Sequence, residues 1–298
     1  MGTDRTTKAN MVNALTVDLE DYYHVSAFER FISRSEWDSF PSRIVQNAER
    51  VLALLDRRRA RATFFVLGWI ADHYPQMVRR IADEGHEIAC HSYWHRLVYQ
   101  MTPEEFREDT RRAKGAIEDA AGVEVVGYRA PSYSITPKCP WALDILVELG
   151  FRYDSSIFPV AHDRYGWPGQ SRFAGPIRQI GTTTLWEFPP STYPLFNHAV
   201  PVAGGGYLRI LPYHYTKWAL EHINQEEGRA GCIYFHPWEI DPEQPRLTGS
   251  ATAWWRHSFG LSTMEEKLKR LLDDFESAPM GEVLRSFERK SEGTPARI

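Results

Sequence analysis

Strand-like and helix-like patterns alternate along most of this chain, and nearly every strand-like run stops at a residue able to do chemistry. "NALTVDL" (13–19) reads as a buried strand followed by acids. Residues 42–58 carry Ile44, Val45, Ala48, Val51, Leu52 and Leu55 at three-and-four spacing, the signature of an amphipathic helix. "ATFFVLG" (62–68) is β-branched and aromatic and closed by glycine, a strand pattern. A helix over 74–84 ends at Gly85, and "HEIACHS" follows as a third strand. Thr102 with Glu105 three residues later forms a capping-box pattern that opens a helix ending at Gly122. Strand patterns recur in "VEVVGYRAP", "FRYDSS", "TTTLWEFPPS" and "GCIYFHPWE", with helices over 140–150 and 213–226. Such alternation predicts an α/β fold, a mainly parallel sheet or barrel clothed in helices.

No repeat, linker or low-complexity block interrupts the 298 residues, so the expectation is a single domain over 1–298. The Gly- and Pro-rich stretch 159–210 is expected to form long loops within it, and residues 1–12 and 281–298 to be loosely ordered tails. A formal net charge of −4 argues against nucleic acid, which usually leaves a basic footprint on its partner. Three widely spaced cysteines fit a reducing compartment better than a disulfide framework. The polar start lacks the apolar core of a signal peptide, and no apolar run approaches the roughly 20 residues that cross a bilayer. A cytoplasmic protein without a transmembrane segment is the resulting expectation.

The chemistry-bearing residues fall where a parallel barrel would gather them, at the carboxyl ends of strands. Asp18, Glu20 and Asp21 end the first strand, His91 and His95 the third, Arg129 the next, Asp154 another and His236 the last. Two imidazoles and a carboxylate make a three-ligand site for a divalent metal with a position left open. Such an ion lowers the pKa of bound water to about 7, and a nearby carboxylate and histidine supply the two proton transfers of a hydrolysis.

The segments "LTVDLED", "HEIACHSYWH", "YRAPSYS", "YDSS" and "IYFHPWE" resemble, in order and spacing, the five motifs of the polysaccharide deacetylases, the NodB-like carbohydrate esterases. The resemblance covers roughly residues 13–275, and "LWEFPPST" and "GGGYLRILPYHY" are similar to a subgroup found with bacterial exopolysaccharide loci. It implies a distorted (β/α) barrel with fewer than eight strands. It implies Asp18 as catalytic base, Arg129 as the residue that orients it, His236 as catalytic acid, and Asp154 within the motif that orients that histidine. His91 and His95 would bind the metal, by default zinc, with cobalt, nickel or iron as alternatives, and the backbone N–H near Ser132 would help stabilise the oxyanion. The substrate implied is a carbohydrate bearing N-acetyl groups. Two rival functions stay open: hydrolysis of a small cyclic amide or ureide on the same scaffold, and glycan binding without catalysis.

The chain departs from the family pattern in two places. Leu19 stands where most members have a second aspartate, so an acid–x–acid arrangement makes Glu20 the third ligand and leaves Asp21 as a rival. The Trp that usually follows the Asp of the fourth motif is absent, which weakens the role of Asp154. Cys90 alternates to the face opposite His91 and reads as core, and His86 reads as a turn residue beside Gly85. Trp167, Trp186, Trp238, Trp254 and Trp255 line either a sugar cleft or the core, and "AGGGY" (203–207) lacks the Lys-Ser/Thr of a phosphate loop.

Overall fold

The computed structural model describes residues 11–162, 165–195 and 198–292. The first half runs β1 (Asn13–Leu19), α1 (Ile44–Asp56), β2 (Thr63–Val66), α2 (Gly68–His73), α3 (Pro75–Asp83), β3 (Glu87–Cys90), α4 (Pro103–Ala121), β4 (Gly127–Tyr128), α5 (Trp141–Glu148) and β5 (Tyr153–Asp154). The second half adds β6 (Gly175–Ile180), β7 (Thr183–Glu187), β8 (Thr192–Leu195), β9 (His198–Pro201), α6 (Gly205–Ile210), α7 (Tyr213–Gln225), β10 (Cys232–Phe235), α8 (Ala251–Ser258), α9 (Leu261–Asp274), β11 (Ser277–Ala278) and α10 (Met280–Glu292).

The main sheet has the order β10-β1-β2-β3-β4-β5-β7-β6, and β11 pairs with the start of β1. The path from β10 to β7 is parallel throughout; only β6, the hairpin partner of β7, runs antiparallel. Its two ends, β10 and β6, do not pair, so the sheet is an open, curled half-barrel with seven parallel staves. That is the distorted barrel the alternation and the motifs implied. The capping box at Thr102 is present, with Thr102 Oγ1 accepting from the Glu105 N–H at 3.2 Å, and Gly122 closes α4 at φ 67°.

Strand alternation divides the sheet into two faces. Leu15, Val17, Leu19, Phe64, Val66, Ile88 and Cys90 enter the large core beneath the helices. Ala14, Phe65 and Ala89 face inward, into a second cluster with Tyr153, Phe188, Met280, Val283 and Leu284. Asp18 shares the inner face with Ala14, whereas Leu19 is spent on the outer core. This is why an acid at position 19 would miss the interior, and why Cys90 is core, as its alternation predicted.

The structure corrects two expectations. Residues 159–210 are not simply loops: they contain the β6–β7 and β8–β9 strand pairs and α6. The expected loose tail from 281 contains α10, whose Val283 and Leu284 plug the base of the half-barrel. Glu87 Oε2 accepts the Gly281 N–H at 2.9 Å, anchoring the first turn of that helix where a carboxylate is favoured. Residues 1–10 and 293–298 lie outside the described residues. Among the described residues, no helix is long and apolar enough to cross a membrane.

Candidate active site

The carboxyl ends of β1, β3, β4 and β10 converge on one point of the inner face. Glu20 follows β1, and its Oε1 lies 2.9 Å from His91 Nε2 and 3.0 Å from His95 Nε2. Among the described residues this trio is the one His, Cys, Asp and Glu cluster whose ligating atoms all lie within 4.8 Å of one another. His91 Nδ1 donates to the Arg129 carbonyl at 2.8 Å. That bond places the proton on Nδ1 and turns the Nε2 lone pair toward the Glu20 oxygen. Two acceptors at 2.9 Å need a cation between them or a second proton on the ring. A divalent ion with bonds of about 2.0–2.1 Å to nitrogen and oxygen satisfies the set. Burial alone would raise the Glu20 pKa, but His95, His236 and His91 outweigh it and hold the group well below the usual carboxylate range.

Asp21 is turned away from this cluster. Its Oδ2 accepts from Ser42 Oγ at 2.7 Å, Arg43 N at 2.9 Å and Ile44 N at 3.2 Å, and its Oδ1 from Tyr22 N at 2.9 Å. It caps the first turn of α1, so that of the two acids Glu20 alone faces the imidazoles.

Asp18 lies two residues before Glu20 on the same face. Arg129, fully buried at the end of β4, donates through Nη1 to Asp18 Oδ1 at 2.6 Å and to Thr16 Oγ1 at 2.8 Å, and through Nη2 to Ser155 Oγ at 2.9 Å. Burial opposes the guanidinium charge, but Asp18 more than compensates and raises the Arg129 pKa. One oxygen of Asp18 is thus fixed, and the other, Oδ2, faces His236 Nε2 at 3.8 Å. His236 Nε2 is also 4.0 Å from Glu20 Oε1. Both separations exceed a hydrogen bond, so the three groups point at common ground without bonding one another.

His236 follows β10 and is held by Glu239, not by Asp154. Glu239 Oε2 accepts from His236 Nδ1 at 3.1 Å and from its backbone N–H at 2.9 Å. Arg209 Nε donates to the other oxygen at 2.7 Å. Burial would lower the imidazole pKa, but Glu239, Glu20 and Asp18 push it up to about 9. Asp154 instead faces Glu187. Both are buried, and burial together with the close like charge of Asp154 holds Glu187 well above the carboxylate range. Asp154 Oδ1 accepts from Ser156 Oγ, and Ser156 Oγ accepts from the Ala130 N–H at 2.7 Å. The expected role of Asp154 as partner of the histidine is corrected accordingly: it braces the loop after Arg129. Glu239 is the last residue of "IYFHPWE", three after the histidine and inside the turn that follows β10.

The loops after β3 and β4 carry backbone strain. Ser92, His95, Ser132 and Tyr133 have φ of 65°, 52°, 51° and 54°, a left-handed conformation costly for residues with a Cβ and commonest at functional sites. Ser132 Oγ lies 2.8 Å from Ser26 Oγ, which pins its loop to the one after β1. His86 is a turn residue, accepting the Ala62 N–H at Nδ1 at 3.2 Å. Trp238 is buried between two imidazoles, stacking on His236 at 5.3 Å and on His257 at 4.6 Å, whereas Trp254 and Trp255 are exposed. The glycines of "AGGGY" seat a ring: a Cβ on Gly204, at φ 151°, would fall 2.0 Å from Tyr234.

An open parallel half-barrel thus gathers a buried Glu-His-His cluster together with Asp18, Arg129 and His236 at the carboxyl ends of its strands. Residues 35–153 match the family model for polysaccharide deacetylase, and residues 155–285 match that described as a domain of unknown function, DUF3473. The chain therefore carries a polysaccharide deacetylase domain, continued by a DUF3473 segment. His91, His95 and Arg129 fall in the first match, His236, Glu239 and Arg209 in the second.

The chain is 32% identical over 161 residues to a peptidoglycan deacetylase-like protein of Gibberella zeae, covering 53% of this chain and 46% of that one. It is 28% identical over 178 residues to the peptidoglycan-N-acetylglucosamine deacetylase of Bacillus cereus (57% and 59%), and 32% over 96 residues to the chitooligosaccharide deacetylase of a Bradyrhizobium species (32% and 42%). It spans about half the length of these curated relatives. Among solved structures, a candidate polysaccharide deacetylase of Mycobacterium smegmatis superposes with a TM-score of 0.63 at 22% identity, covering 96% of this chain and 93% of that one. This likeness shows the fold.

Proposed function

We propose that the protein is a metal-dependent hydrolase that removes N-acetyl groups from amino sugars of a bacterial polysaccharide or lipid-linked glycan, releasing acetate. The convergence of Asp18 and His236 on the Glu20–His91–His95 cluster carries this reading. Glu20, His91 and His95 would hold the ion, zinc by default, since imidazole and carboxylate suit zinc and equally cobalt, nickel or iron. When bound, a divalent ion supplies Lewis acidity, which makes water a nucleophile near neutral pH and polarises a carbonyl.

The remaining chemistry belongs to the chain. Asp18, with Oδ1 occupied by Arg129, offers Oδ2 to take the proton of the attacking water. His236 donates Nδ1–H to Glu239, so its Nε2 proton is directed into the site. As the acetamide C–N bond breaks, that proton passes to the departing nitrogen; the products are acetate and a free amino sugar. The left-handed turn at Ser132 is suited to hold a backbone N–H for the oxyanion. The names of the Bacillus and Bradyrhizobium relatives support N-acetylated sugars as the substrate class.

The test is acetate release from N-acetylated chito-oligosaccharides by metal-loaded protein, with Asp18→Asn and His236→Ala beside wild type. Each variant is expected to lose about 10²–10⁴-fold in kcat, the usual worth of a positioned proton transfer. Wild-type protein that binds the oligosaccharide with zinc present yet releases no acetate would favour a glycan-binding protein instead.

A further inference from the structure

We propose that Arg209 is the positioning residue of the general acid: acting through Glu239, it fixes the His236 ring, so that the DUF3473 segment completes the active site of the deacetylase domain. This rests on the reading of His236 as the acid.

Glu239 has both carboxylate oxygens committed, one to the His236 ring and backbone and the other to Arg209. The side chains of Arg209 and Glu239 are only 3% and 0% exposed. A carboxylate so deeply buried is tolerable only with a counter-charge in good geometry, because removal of one partner strands the other in a poor solvent. Arg209 is itself immobilised at every nitrogen. Nη1 donates to the carbonyls of His257 at 3.1 Å and Phe259 at 2.6 Å, and Nη2 to that of Arg256 at 2.9 Å. These carbonyls close the C-terminal end of α8, where a cation is favoured. Its backbone is held as firmly: Lys267 Nζ on α9 donates to the carbonyls of Leu208, Arg209 and Leu211 at 2.8–2.9 Å.

The histidine is thus gripped along one edge by Glu239 and on one face by Trp238, which in turn stacks on His257 of α8. Every part of this grip, from α6 and the turn after β10 to α8 and α9, comes from the segment 155–285. Asp154 takes no part in it, being engaged with Glu187 and Ser156. Arg209 never reaches the reacting atoms. Its work is to keep Glu239 charged and still, so that Nδ1–H has a fixed acceptor and Nε2 a fixed direction.

A leaving group separates positioning of an acid from general structural support. An acetamide needs a proton on its nitrogen as the bond breaks, whereas the phenolate of an aryl acetate leaves without one. The experiment compares wild type, Arg209→Met, Arg209→Lys and Glu239→Gln, all metal-loaded, on a chito-oligosaccharide and on an aryl acetate. Arg209→Met and Glu239→Gln are expected to lose about 10²-fold or more in kcat on the amide with KM held, and no more than about threefold on the ester. Arg209→Lys keeps the charge but not the fork, and falls between.

Equal losses on both substrates, or an undiminished amide rate in Arg209→Met, would overturn the proposal. A second readout is independent of turnover: the downfield imidazole N–H resonance of His236, assigned by its absence in His236→Gln. It should vanish in Glu239→Gln and move in Arg209→Met. If wild type turns over neither substrate, the deacetylase reading fails, and this resonance decides the positioning claim alone; an unchanged signal in Arg209→Met defeats it.

Discussion

Glu20 and Asp21 are adjacent acids with opposite fates, one aimed at two imidazoles and the other at the backbone of α1. Elemental mass spectrometry should therefore find close to one divalent ion per chain in wild type and Asp21→Ala, and almost none in Glu20→Ala or His91→Ala. Asp21→Ala should pay in stability instead, about 1–3 kcal/mol for the orphaned amides of α1, read from denaturant unfolding. Glu187 gives a prediction of a different sign. Its pKa in the fold lies above its ordinary 4.5, so the stability it adds is present at low pH and drains away as pH rises through the folded value. Glu187→Gln removes the titrating group and should flatten the fall in stability as pH rises; an unchanged slope between pH 5 and 9 would exclude Glu187 as its source.

The meeting of Asp18, Glu20, His91, His95, Arg129 and His236 at one point was legible in the sequence, because residue type and strand end coincide at each. Glu239 carries no such signal, since it lies three residues past the histidine at its strand end, inside the turn Pro237–Ile240, where its side chain accepts the His236 backbone N–H. Arg209 had no signal, because its partner lies 30 residues on and its other bonds go to backbone carbonyls about 50 away.

At the scale of elements, the predicted helices 42–58, 74–84, 102–122, 140–150 and 213–226 are present within two residues at each end. The strands are shorter than their patterns: "VEVVGYRAP" and "FRYDSS" contribute two residues each, since the chain leaves the sheet to build the loops that hold Arg129 and Ser155. α10 escaped notice because Val283, Leu284 and Phe287 are few among charged neighbours, and only the open base of the half-barrel gives them something to bury against. Gly68 shows how closely elements meet near the site. A Cβ there would fall 2.5 Å from the Tyr93 ring and 2.8 Å from the Ala113 backbone of α4, while its own N–H bonds the Ser92 carbonyl at 2.9 Å. Gly68→Ala should cost about 1–3 kcal/mol and loosen the loop that carries both histidines, weakening metal affinity by about tenfold or more. Calorimetric zinc titration of the variant checks it; unaltered affinity would detach that loop from the α2–α4 crossing.

For the whole molecule, the Glu20–His91–His95 cluster draws on β1 and the loop after β3, and His236 follows β10, so an ion bound there should stabilise the folded state globally. At one hundred times the dissociation constant, the gain is about 2.7 kcal/mol, seen as a rise of several degrees in Tm that a chelator reverses. Acid should act on the other side of the site. Burial would raise the Glu239 pKa, but His236 and Arg209 depress it from 4.5 to about 2, so its stabilisation is full above 4.5 and lost as pH falls toward 2. This amounts to something on the order of 3 kcal/mol, and Glu239→Gln should show a correspondingly shallower acid unfolding curve.

The pairing of β10 with β1 has a consequence in time. Thr16 and Ile233, joined across that pair by a hydrogen bond of 2.9 Å, stand 217 residues apart. On a ribosome adding about 5–20 residues per second, β1 must wait roughly 10–40 seconds for its neighbour. Throughout that interval one flank of the strand bearing Asp18 offers unpaired amides and carbonyls, the kind of edge to which other nascent chains adhere. Synthesis itself, rather than the finished fold, is then the stage at which this protein is most exposed to aggregation, and slowing translation ahead of β10 should lower its soluble yield.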